Sequence, residues 1–212
     1  MERLLVGLIV WALSAAAAEA ALLSRAGGQA YYDDVLNITW LADANYAQTS
    51  GYDSDGRMTW AETPAWIGSL NAANHLGANN WRLPITAQPD ANCSYQAPGV
   101  SSDYGCTGSE MGHLLNVDGI TSANPGPFVN VLAWSYWSGT SFAPDAGKAW
   151  VLDFYNGLQY GSLKINTAPT WVVRTGDISA VPAPGGLWLL GTAVAAAGLR
   201  LRRRVGDAAA QA

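Results

Sequence analysis

Two uncharged apolar runs stand near the ends of the chain, and together they decide which residues are left to build a domain. The first, residues 4–18, follows Glu2 and Arg3 and ends in Ala18-Glu19-Ala20 before Ala21. A positive flank, a short apolar stretch and small residues at the first and third places of the closing triplet make a secretory signal, cut between Ala20 and Ala21. The run is short for a membrane span, and no basic stop-transfer cluster follows it. Residues 1–20 are therefore expected to be a signal helix that leaves the mature protein, which enters an oxidising space.

The second run, residues 185–199, follows Val181-Pro182-Ala183-Pro184 and precedes Arg200, Arg202, Arg203 and Arg204. At ~1.5 Å per residue it spans roughly 22 Å, against a hydrocarbon core of ~30 Å. Pro184 and a snorkelling Arg200 bring it close to spanning. The arginines stay cytoplasmic by the positive-inside rule, which leaves the middle of the chain outside. A Val-Pro-x-Pro motif, an apolar helix from Leu187 through Leu190 to Leu199, and Arg202, Arg203 and Arg204 resemble the PEP-CTERM sorting signal of Gram-negative bacteria. Ala183 stands where the name-giving motif has Glu, and residues 205–212 trail the arginines. The resemblance implies an exosortase-type membrane protease as partner, cutting near Val181 and Pro182. It also implies tethering to the inner membrane before processing, a final place in the cell envelope or outside the cell, and an association with exopolysaccharide export. An ordinary tail anchor is the alternative.

What remains is a domain over residues 24–177, with 178–184 as linker and 185–204 as tail. Residues 24–180 carry 13 Asp and Glu against six Lys and Arg. This balance argues against nucleic acid as partner, since little here neutralises a run of phosphates. Only 13% of all residues are charged and ten are tryptophan, a composition that folds. About 150 residues are enough for a real core. Trp40, Trp60, Trp66, Trp81, Trp137, Trp150 and Trp171 read as core pins, each a large apolar body with one N–H to satisfy.

Local patterns predict α+β architecture with two short helices and loop-rich antiparallel β-structure. Tyr31-Tyr32-Asp33-Asp34 and Asn37-Ile38-Thr39-Trp40-Leu41 read as strands around a turn. Thr63 and Pro64 read as N-cap and N1 of a helix that buries Trp66, Ile67, Leu70 and Ala73 and ends at Gly77 in C′. Thr107-Gly108-Ser109-Glu110 reads as a capping box opening a second helix with Met111, Leu114 and Leu115 inside. Trp150, Leu152 and Phe154 alternate with Val151, Asp153 and Tyr155. Asn156-Gly157 then predicts a type I′ turn, and Thr170-Trp171-Val172-Val173-Arg174 a closing strand. Cys93 and Cys106, thirteen positions apart in a loop-rich stretch, predict one disulfide in an oxidising compartment; the rival reading is a reactive thiol pair, against which nothing basic lies nearby in sequence to lower a thiol pKa.

Gly77-Ala78-Asn79-Asn80-Trp81-Arg82-Leu83-Pro84 is the most specific string of the domain. With Tyr136-Trp137-Ser138-Gly139-Thr140, the Ala149-Trp150 strand and Trp171-Val172-Val173-Arg174, it resembles the Lcl C-terminal domain family over about residues 28–176. Asn80 stands where Asp often precedes the Trp. The resemblance implies a C-type-lectin-like fold related to sulfatase-modifying domains.

Candidate chemistry is sparse. Asp53-Ser54-Asp55-Gly56 has alternate carboxylates and a turn glycine, as in half of a calcium loop, with Asp43 and Asn45 close in sequence. No bidentate Glu closes it, and Asp-Gly is a common turn. Calcium is the one cofactor this pattern suggests. Gln88-Pro89-Asp90 matches the galactose-type calcium tripeptide of C-type lectins, without its Trp-Asn-Asp partner. Glu110 and His113 are spaced i, i+3, so they could face one site as ligands or as a base; Glu110 also serves the capping box. His75 reads as a partner of a helix C-terminus. Arg82 and Arg174 are expected to pair with carboxylates inside the fold. Two readings follow. One is a non-catalytic, exported recognition domain for polysaccharide or matrix, with Tyr136, Trp137 and Tyr155 as an exposed aromatic platform. The other is a cell-surface enzyme using a carboxylate pair or Glu110 and His113.

Overall fold

Residues 22–178 are described by the computed structural model. The signal segment with Ala20 and Ala21, the linker positions Val181, Pro182 and Pro184, and the tail with Leu187, Leu190, Leu199, Arg202, Arg203 and Arg204 lie outside the described residues. Among the described residues no helix is long and apolar enough to cross a membrane.

In chain order the elements are β1 (Leu22–Arg25), β2 (Ala30–Asp33), β3 (Ile38–Leu41), a single turn α1 (Tyr46–Thr49), β4 (Arg57–Thr59), α2 (Thr63–Ala72), β5 (Tyr95–Ala97), β6 (Val100–Ser102), α3 (Glu110–Asn116), β7 (Ser135–Ser141), β8 (Lys148–Asp153), β9 (Gln159–Leu163), β10 (Thr167–Pro169) and β11 (Val173–Thr175). The four sheets are ordered β1-β2-β3-β11, β4-β10, β5-β6 and β7-β8-β9, with every strand pair antiparallel. The α+β expectation therefore stands.

The β2–β3 hairpin is set by its own turn. The Asp33 carboxylate accepts the backbone N–H groups of Val35 and Leu36, and Asn37 takes the left-handed φ of 52° that Asn tolerates. The last strand returns beside it, with Val173 opposite Trp40. Arg25 and Asp177 close the domain's two ends with a bidentate ion pair at 2.6 and 2.8 Å. Alternation along this sheet sends neighbours to opposite faces. Trp40, Trp171 and Val173 enter a cluster with Met111 and Leu114 of α3. Leu41 and Val172 enter a second with Trp66 and Leu70 of α2. The sheet is thus the middle layer between two cores. A third core joins Trp137, Ala149 and Val151 to Leu83 and Ala168.

Trp40, Trp66, Trp137, Trp150 and Trp171 are fully buried and Trp81 nearly so, which fits their reading as core pins; Trp60 is half-buried. Cys93 and Cys106 form the expected disulfide, which ties down the β5–β6 hairpin. Loop closure of that length stabilises by on the order of 3 kcal/mol.

Several local expectations need correction. Thr63 lies inside α2 and gives its hydroxyl proton to the Trp60 carbonyl, so it caps nothing; Pro64 does occupy the first turn. Ala73 is exposed. Asn74, with φ 49°, takes the left-handed exit from α2, while Gly77 closes the short 3-10 turn His75–Gly77. The cap of α3 is Ser109, whose hydroxyl accepts the Gly112 N–H; Thr107 instead accepts from the Asn92 amide. Gly157 alone is left-handed in the β8–β9 turn, so the turn is not type I′; the Asp153 carboxylate braces it by accepting the Tyr155 N–H. The closing strand begins only at Val173, in β11; Thr170, Trp171 and Val172 form the link from β10.

Candidate functional site

Paired positions on adjacent strands put their side chains on one face of a sheet. In the β7-β8-β9 sheet, Ser135 lies opposite Asp153, Val151 opposite Tyr160 and Ala149 opposite Ser162. The Ala149 and Val151 part of this face is covered by the third core. Beside that core, and still bordered by Val151 and Ala168, the face opens into a cleft of about 580 Å³ lined also by Trp134, Asn166 and Thr167. Small-molecule sites commonly fall at roughly 300–1,000 Å³.

The cleft combines aromatic surface with ordered hydroxyl and amide groups. Trp134 is 47% exposed and Tyr160 36%. The Tyr160 hydroxyl and Ser135 Oγ are 3.0 Å apart, and Ser135 Oγ donates to Asp153 Oδ2 at 3.0 Å. Asn166 Nδ2 donates to Ser162 Oγ. Among the described residues lining the cleft, Asp153 is the one carboxylate, and its Oδ1 already serves the turn. Arg57 Cζ sits 4.9 Å from the Trp134 ring centroid. Asp55 holds that guanidinium through Oδ2 at 2.6 and 2.9 Å. The Arg57 backbone N–H and guanidinium together keep the Asp55 carboxyl below its ordinary value. An exposed indole beside hydroxyl, amide and carboxylate groups suits a ligand with an apolar face and a hydroxylated edge.

The expected aromatic platform is not assembled, and two of its members need correction. Tyr136 and Trp137 are fully buried. They point to opposite faces of a strand covered on both sides. Tyr136 receives the Leu132 N–H on its hydroxyl, and Trp137 donates to the Met58 carbonyl at 2.8 Å. Burial raises the Tyr136 pKa. Tyr155 is 75% exposed at the β8–β9 turn. Sequence reasoning missed Trp134 and Tyr160. The available signal was strand phase, which places Tyr160 and Ser162 on the Asp153 face.

The metal and acid–base candidates serve local structure. Asp53 Oδ1 accepts the N–H groups of Asp55 and Gly56, and Asp55 is paired with Arg57, so the two carboxylates do not converge. A Cβ on Gly56 would collide with the Asn45 side chain, which makes this glycine a packing requirement. Asp43 accepts from the Asn45 N–H. Gln88 exchanges two hydrogen bonds with the backbone of Ser101, and Asp90 accepts the N–H groups of Asn92 and Gly108. Asp90 also lies near both cysteines, whose thiols are consumed by the disulfide. Glu110 and His113 do not share a site. Glu110 receives Arg82 in a fork at 2.7 and 2.8 Å, plus the Ile85 N–H at 2.7 Å. His113 turns toward Asp118, 3.9 Å away. Arg82 thus pairs as expected, while Arg174 donates to the Asp177 carbonyl rather than to a carboxylate. His75 stacks on Tyr46 with ring centroids 4.8 Å apart, and burial lowers its pKa.

The sequence model of the Lcl C-terminal domain matches residues 29–174. No curated protein and no solved structure matches the chain.

Proposed function

The chain belongs to the Lcl C-terminal domain family, and from that premise we propose that its domain is a non-catalytic, C-type-lectin-like recognition module for polysaccharide. The observation that carries this reading is the cleft where exposed Trp134 and Tyr160 stand beside Ser135, Asp153, Ser162 and Asn166. A sugar ring offers an apolar face to an indole and an edge of hydroxyls to polar side chains. The first and last strands share one sheet, as its two edges, and a disulfide-pinned loop lies between them in the chain, an arrangement consistent with the lectin-like assignment. The enzyme alternative finds less support: one carboxylate lines the cleft, and Glu110 is held by Arg82 away from His113.

The cellular setting belongs to the same proposal. The signal-like 1–20 segment and the PEP-CTERM-like 181–204 segment support export, inner-membrane tethering and processing by an exosortase-type protease. The product then resides in the cell envelope or outside the cell. The disulfide suits that oxidising route.

Protein recovered from the cell envelope tests both halves. Its intact mass is expected to lack residues 187–204, and retention of that segment would refute processing. On a glycan array, with and without calcium, it is expected to bind at least one polysaccharide class saturably. Silence on the array in both conditions would remove the recognition reading.

A further inference from the structure

In the layer between the first sheet and α3, three side chains bury polar atoms that no hydrogen bond reaches. Asp33 is fully buried at the end of β2. Its Oδ1 is spent on the Val35 and Leu36 N–H groups, and its Oδ2 has no partner. His113, on α3, leaves Nε2 without a partner. Asp118 follows α3; its side chain is only 4% exposed, and neither oxygen has a hydrogen bond. One ligand atom from each of the three lies within 4.8 Å of the others.

Buried carboxylates without compensation are costly, and natural structures pair them or give them a metal. His113 Nε2 approaches Asp118 Oδ1 at 3.9 Å, beyond hydrogen-bond range. The charges around Asp118 are unbalanced: His113 opposes the burial, whereas Asp33 and Asp34 add to it.

We propose that Asp33, His113 and Asp118 form a binding site for one divalent transition-metal cation, which ties the turn after β2 to the end of α3. Ligand atoms roughly 2.0–2.2 Å from a shared ion stand about 3–4 Å apart, so the observed spacing needs only a small contraction. Two carboxylates and one imidazole form a mixed oxygen–nitrogen set. That set suits zinc or manganese better than calcium, which takes oxygen ligands almost throughout. The fixed Asp33, with one oxygen locked by its turn and the other left over, supplies the rigid edge of the site. The site is separate from the polysaccharide cleft and does not depend on that reading.

The test uses the full-length protein, stripped with chelator and titrated with Zn2+, Mn2+ or Ca2+ by calorimetry and thermal melting. One Zn2+ or Mn2+ per chain is expected, with a rise in Tm of about 5 °C or more at saturation. Asp118→Asn removes a buried charge, so it is expected to melt no lower than the stripped wild type and to lose the metal-dependent rise. His113→Gln is expected to weaken Zn2+ binding by about 100-fold or more. Three results would overturn the site. They are no saturable Zn2+ or Mn2+ binding by the wild type, a response to Ca2+ alone, or an unchanged metal-dependent rise in both variants.

Discussion

Trp171→Ala is expected to be the most damaging single substitution in the domain, costing about 4 kcal/mol and lowering Tm by roughly 10 °C. Trp171 is fully buried between the closing strands, where four aromatic partners surround it. Its ring lies 4.9 Å from Phe128, 5.2 Å from Trp40, 5.4 Å from Phe154 and 5.8 Å from Tyr136, centroid to centroid. These partners come from β3, the 125–132 segment, β7 and the end of β8, so no single neighbour can move to fill the space. The indole N–H also donates to the Leu41 carbonyl at 2.7 Å. Alanine would leave both a cavity and an unpaired buried carbonyl. Trp171→Phe should lose less, because it keeps much of the volume while dropping the N–H. Urea melts check both; a loss under about 1 kcal/mol for alanine would contradict this account of the core.

The second large effect is expected at the Arg82–Glu110 pair. Glu110 gathers three donors, two from Arg82 and one from the Ile85 backbone. Side-chain exposures of 28% for Arg82 and 15% for Glu110 put the pair in partial shelter. That places it between an exposed ion pair, at most about 1 kcal/mol, and a fully buried one, where removing one partner costs roughly 3–5 kcal/mol. Glu110→Ala is therefore expected to cost about 2 kcal/mol. Much of that loss comes from the Ile85 N–H and the Arg82 guanidinium left behind. A double-mutant cycle with Arg82→Leu should return a coupling of about 1–2 kcal/mol in denaturant melts. A coupling near zero would mean that the fork is incidental to stability. The pair also explains why the Trp81-Arg82-Leu83-Pro84 string is informative. Trp81 enters the core, the Arg82 backbone bridges to Val173, and its side chain anchors the start of α3.

Much of this architecture was legible because it depends on local chemistry. The β2–β3 hairpin follows from strand-forming residues flanking an Asp and an Asn that suit a turn. Pro64 at the start of α2, and Met111 and Leu114 on the inner face of α3, were also readable. The misassigned details were choices among neighbours that only tertiary contacts decide. Thr107 and Ser109 are both good caps, and the loop's path past Asn92 gives Thr107 another role. Asn156-Gly157 suits a type I′ turn, but the Asp153 carboxylate binds the turn's N–H groups and selects a longer one.

The candidate site was harder to read than the fold. Tyr136 and Trp137 looked like a platform because aromatics in a loop-rich half can be exposed. Exposure on a strand depends on what covers each face, and both faces of β7 are covered by distant segments. Trp134 belongs to none of the patterns that mark the domain, and it sits just before β7, where that cover ends. Asp33 and Asp118 carry no shared motif and lie 85 positions apart; the β2 turn and α3 bring them together.

The central claim is that the Trp134 cleft is a polysaccharide site. Its most direct test is the affinity of Trp134→Ala for whichever glycan the wild-type protein selects, measured by calorimetry alongside Tyr155→Ala. Trp134 is half exposed and outside the core clusters, so its removal should leave Tm within a few degrees of wild type. The account predicts a loss of affinity of about tenfold or more for Trp134→Ala, as when a buried aromatic anchor is removed from an interface. Unchanged affinity in a Trp134→Ala protein that still folds would contradict it.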